Sequence, residues 1–126
     1  MPGRVYESCG VLAVDFRHCD ARQIQLAYEN LAVRLCDADG AGRVLLTPGR
    51  ENAELHYALL GVLRAVAQIL GTPLQVQVAM VGASPALAAV CGEMLGRLLA
   101  LGCEVQLFHA VSNGARWLLA HEPELA

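Results

Sequence analysis

Aromatic side chains are scarce in this chain: one Trp, three Tyr and two Phe among 126 residues. Any core must therefore be aliphatic, built from Leu, Val and Ala. Charge is also sparse, at 17% of residues, and the net charge of −3 leaves no basic field to hold a phosphate backbone. A nucleic-acid partner is not expected. The five cysteines (Cys9, Cys19, Cys36, Cys91, Cys103) are odd in number and lack CxxC spacing. That pattern argues against a disulfide framework and a zinc ribbon, and points to small core thiols of a reducing compartment. Internal repeats, linkers and low-complexity segments are missing. So is a signal peptide, and the apolar helical stretches are interrupted by Arg64, Glu93 and Arg97. No membrane span is expected, and the predicted location is cytoplasmic.

Hydrophobic residues, in contrast, reach 56%. The length suits one domain, 1–126, with a real core. A mean hydropathy of +0.44 is high for a lone small domain and predicts apolar surface covered by a partner.

The segment Val76–Leu101 organises the rest. Val76, Val78, Ala79, Met80 and Val81 form the nearly continuous apolar run of a strand buried on both faces. Gly82 turns the chain, Ser84 is placed to cap a helix, and Pro85 suits its first position. Leu87, Val90, Cys91, Met94, Leu98 and Leu101 then follow the 3.6-residue period. Other stretches repeat the plan. Val5–Phe16 holds two short extended runs, and Asp20 caps a helix over 21–37 whose core face is Ile24, Ala27, Tyr28, Leu31 and Leu35. The segment 37–42 reads as a loop before a short strand, Val44–Leu46. A turn at 48–52 leads to a helix packing through Leu55, Leu59, Val62, Val66 and Ile69. Cys103–Phe108 is the last strand, and Ser112 or Asn113 caps a final helix carrying Trp117, Leu118 and Leu119. The predicted fold is α/β: a mainly parallel sheet of four to five strands with helices packed on it, the N-terminal strand antiparallel at an edge. Its binding sites belong at the C-terminal strand edge.

Three stretches resemble a known family. Gly10-Val11-Leu12-Ala13-Val14-Asp15-Phe16, Ala79-Met80-Val81-Gly82-Ala83-Ser84, and the spacing Phe108, Gly114, Trp117, Leu118 are similar to motifs of the SpoIIAA-like branch of the STAS superfamily (sulfate transporter and anti-sigma-factor antagonist domains). The likeness spans nearly the whole chain. It implies the α/β fold of that family and a non-catalytic, regulatory role in binding a protein or a small ligand. The sequence departs from the pattern after Val44–Leu46, where Thr47 replaces the usual aspartate and Gly49 the hydroxyl residue that antagonists phosphorylate. A copied phosphorylation switch is therefore not expected.

Individual residues divide into chemistry and structure. Ser84 at a helix start offers an anion site or a plain cap; Thr47, Gly49 and Arg50 lie in the loop expected on the same edge, and Gly82 completes that group of candidate partner- or ligand-binding residues. His18-Cys19-Asp20 supplies three metal-ligand types in a row, but adjacent residues seldom converge on one ion and no second cluster completes the set, so no metal is expected. His56 and His109 read as solvent-facing or helix-terminal. No catalytic constellation and no cofactor motif stand out. On a helical wheel Ala89, Gly92, Gly96 and Ala100 gather opposite the core stripe of helix 85–101, a candidate homodimer interface flanked by Glu93 and Arg97; Leu26 and Val33 also face away from the core. The reading is a non-catalytic regulatory or scaffold domain acting through protein contacts as a homodimer. The alternative is a carrier of a small apolar or anionic ligand, such as an acyl chain held between helix and sheet.

Overall fold

The computed structural model describes residues 4–49 and 53–120. Five strands form one sheet in the order β1-β2-β3-β4-β5: β1 (Val5–Ser8), β2 (Val11–Asp15), β3 (Ala41–Thr47), β4 (Gln75–Val81) and β5 (Cys103–Phe108). A tight turn makes β1 and β2 an antiparallel hairpin at one edge, and every later pair is parallel. The helices are α1 (Ala21–Asp37), α2 (Ala58–Leu70), α3 (Pro85–Leu101) and α4 (Val111–Ala120), with a 3-10 turn, Ala53–Tyr57, leading into α2.

The strand order dictates the layering. Each crossover steps one strand further in the same direction, and crossovers share one hand, so their helices fall on one face. Accordingly α1, α2 and α3 pack with Leu12, Val14, Val44, Leu46, Val76, Val78, Met80, Cys103 and Val105 in the main core. Among the described residues no strand follows β5, and α4 folds onto the opposite face, where Leu118 meets Val11, Ala13, Leu45, Ala79 and Val81. Because alternate residues of β2, β3 and β4 each find a cover, those strands are apolar on both faces. Gly114 sits where α4 crosses the sheet, so close that a β-carbon there would stand 3.1 Å from Val81 and 3.3 Å from Ala79.

Local signals explain the helix ends. Asp20 accepts from the Gln23 amide while the Gln23 side chain returns to the Asp20 amide, a closed capping box for α1. The turn after α1 needs only residues 38–40, with Asp39 and Gly40 left-handed and the Gly40 amide donating to Leu35. Strand β3 therefore starts at Ala41 and is seven residues long, and the expected loop over 37–42 is correspondingly shorter.

Three further expectations are corrected. The inward stripe of α2 is Leu59, Leu60, Leu63 and Val66, while Ile69 is 74% exposed. At 100° per residue Ile69 falls about 80° from Leu59, on the side away from Leu60 and Leu63, whereas Leu55 and Val62 do pack against the main core. His56, expected to be solvent-facing or helix-terminal, lies in the turn that begins the helix but points inward and is buried. Helix α4 starts from the Ala110 carbonyl, which accepts from Asn113 and Gly114, so Ser112 and Asn113 lie inside the helix rather than capping it. The stretch Ala53–Leu70 is long and apolar enough, by length and composition, to cross a membrane, Arg64 notwithstanding. Its Leu59, Leu63 and Val66 are wholly enclosed by the main core.

Candidate functional site

The C-terminal ends of β2, β3 and β4 lie side by side, and the loops that leave them enclose a cleft of about 600 Å³. Arg17, His18 and Cys19 line it from the β2–α1 loop, Pro48 and Gly49 from the end of β3, and Gly82 and Ser84 from the β4–α3 turn. This is where open α/β sheets hold ligands, since strand ends stop and helix N-termini begin at the same edge.

Each loop has a local reason for its shape. In the first, the Arg17 guanidinium clasps Asp15 at two points, Nε to Oδ1 at 3.0 Å and Nη2 to Oδ2 at 2.8 Å, while the Arg17 amide also donates to Oδ1. The side-chain hydrogen bond from Arg17 is the main reason that the Asp15 carboxyl is held below its ordinary value. His18 then takes a left-handed backbone, φ 67°, an uncommon conformation for a residue with a β-carbon. Cys19 turns inward, its thiol donating to the Asp15 carbonyl at 3.7 Å. The loop is tied to the sheet by the Phe16 amide, which donates to the Thr47 carbonyl at 2.8 Å.

In the second loop, Gly82 has φ +74° and donates its amide to the Phe108 carbonyl at 2.8 Å. A β-carbon at Gly82 would meet nothing within 4 Å, so the requirement for glycine comes from the backbone angle and not from crowding. Ser84 Oγ accepts from the Leu87 amide at 3.2 Å, and Pro85 follows at the first helical position. That is the geometry of a helix cap.

The structure thus brings Gly49, Gly82 and Ser84 together and adds four residues that sequence reasoning did not assign to a site with them: Arg17, His18, Cys19 and Pro48. Thr47 is not among the cleft-lining residues. It shares the α4 side of β3 with Leu45, by the alternation of side chains along a strand. Arg50 lies outside the described residues. Among the described residues no group of three His, Cys, Asp or Glu side chains is placed to hold a metal ion. The small residues Ala89, Gly92, Gly96 and Ala100 are all exposed along the outer face of α3.

The electrostatics favour negative charge. The N-termini of α1 and α3 both open onto this edge and carry partial positive charge, met in part by the capping Asp20 carboxylate in α1 and by Ser84 Oγ in α3. Arg17, its guanidinium paired with Asp15, and His18 line the same space, and no carboxylate is among the described lining residues. A second polar feature lies within the main core: Tyr28 Oη of α1 and His56 Nδ1 are hydrogen-bonded at 2.7 Å, with the Phe16 ring tilted against Tyr28 and edge-on to His56. Comparison with protein-family models, with curated proteins and with solved structures gives no match.

Proposed function

We propose that the protein is a non-catalytic binding domain with a regulatory or scaffold role, and that its cleft receives an anionic group, a carboxylate or phosphate ester, presented by a protein partner. The observation that carries this reading is the convergence of two helix N-termini, His18 and the Asp15-paired Arg17 on one cleft whose described lining residues include no carboxylate. Ser84 serves as a helix cap and has no described base beside its hydroxyl, which argues against acyl or phosphoryl transfer. The likeness to SpoIIAA-like STAS domains points the same way and is part of this proposal. An acyl-chain carrier is less well supported, because the side chains between the helices and the sheet (Val44, Leu46, Leu63, Met80, Met94 and Leu98) are at most 1% exposed.

The test is an amide NMR titration with inorganic phosphate, then with a short phosphoserine peptide. Shifts should cluster at Arg17–Asp20, Gly49 and Gly82–Leu87. Shifts scattered over the surface, or none at millimolar ligand, would refute the cleft as a recognition site. Release of inorganic phosphate from the peptide would refute the non-catalytic reading.

A further inference from the structure

We propose that the outward face of α3 is a self-association surface, on which a second copy of this chain packs antiparallel about a two-fold axis. The face is apolar and unpartnered: Leu99 is 56% and Leu95 38% exposed, and nothing lies within 4 Å of a β-carbon built at Gly92 or Gly96. Residues along the helix advance 100° each, which fixes what borders this face. Opposite the buried stripe of Leu87, Val90, Cys91, Met94 and Leu98 stand Gly92 and Gly96. Leu95 and Leu99 fall to one side of them, Glu93 and Arg97 to the other.

The charges choose the occupant. A two-fold axis lying in the interface reverses the helix direction but keeps each flank on its own side. Leu95 therefore meets Leu95 of the second copy, with Leu99 one turn along the same flank. On the other flank, Glu93 meets Arg97 of the second copy, and Arg97 meets its Glu93. Arg97 makes no ion pair among the described residues. Glu93 accepts the Tyr57 hydroxyl on Oε2, which leaves its other oxygen open to a guanidinium. The chain is thus its own complement along this edge, whereas an unrelated partner would have to reproduce the alternation. The glycines let the two helices approach closely enough for both flanks to engage. This contact lies on the outer helical layer and does not depend on the cleft.

The experiment uses the full chain in sedimentation velocity, with circular dichroism to confirm the fold of each variant. Wild type should sediment as a dimer. Glu93→Arg and Arg97→Glu each set like charges across the two-fold, and each should weaken dimerisation by roughly tenfold or more. Mixed one to one, the two variants should form a heterodimer, because one presents two cations and the other two anions. Pairing within a single helix cannot produce that rescue. Gly96→Glu, at an exposed position away from the Tyr57 contact, gives a second disruption. A monomeric wild type, single variants as dimeric as wild type, or a mixture that stays monomeric would each overturn the proposal.

Discussion

Replacing Tyr28 by Phe keeps the ring and removes one oxygen, and with it the buried bond to His56. Tyr28 is 0% and His56 1% exposed, and their hydrogen bond ties α1 to the turn that starts α2. Packing should survive, since the Phe16–Tyr28 and Phe16–His56 ring contacts, at centroid distances of 5.0 and 5.1 Å, do not involve the hydroxyl. The loss then has two parts. The net bond contributes about 1 kcal/mol, and His56 Nδ1 is left desolvated without that partner, at about 1–3 kcal/mol. A destabilisation of about 2 kcal/mol is expected, or roughly 8 °C in Tm for a chain of this size. Urea unfolding followed by circular dichroism measures it. His56→Leu and the double variant complete a mutant cycle, in which the double change should cost clearly less than the two singles added, by about 1 kcal/mol or more. A loss under about 0.5 kcal/mol for Tyr28→Phe with no coupling would refute the claim that this pair is a buried link, because the desolvation penalty would then be absent.

Two further outcomes are expected. Gly102→Ala should prevent stable folding, because its β-carbon would sit against the backbone of Leu74, whereas Gly82→Val meets open space and should cost only about 1–3 kcal/mol for its left-handed backbone; thermal melts of both should preserve that ranking. Burial pushes the Cys91 thiol up to about 11 and the Cys103 thiol to about 12, so both stay protonated and unreactive toward an alkylating reagent at neutral pH until urea unfolds the chain, while exposed Cys9 is alkylated in the folded protein, as mass spectrometry would show.

The element order was legible because two periods dominate the sequence: near-continuous apolar strands and 3.6-residue helices with strong caps at Asp20 and Ser84. Errors came where local pattern and tertiary contact disagree. Ile69 matched a periodic face but lies outside, since the buried stripe of α2 turns toward Leu60 and Leu63, away from it. His56 gave no signal, because its reason for being buried is Tyr28, twenty-eight residues away. The candidate site was half legible. Strand ends in a parallel sheet share an edge, which placed Gly49, Gly82 and Ser84. The same rule applied to β2 would have added Arg17, which was not singled out, and His18 and Cys19, which were weighed as metal ligands with Asp20. Thr47 was misjudged for a finer reason: adjacent strand residues face opposite sides, and the side of Thr47 depends on a register that sequence alone does not give.

The sequential strand order has a consequence for how the chain reaches this state. In the parallel part of the sheet Leu12 pairs with Val44, Val44 with Val78 and Val78 with Val105. Each closure spans about thirty residues, so each exacts nearly the same entropy, and none must wait for a distant segment to arrive. A chain emerging from its N-terminus can lay down the hairpin and then add one strand and its helix at a time, each new strand docking on the one just placed. Only α4 comes last, and until it docks the apolar strip of Val11, Ala13, Leu45, Ala79 and Val81 stands open. The nascent protein is therefore most prone to stick to its neighbours in the interval before the ten residues of α4 have left the ribosome.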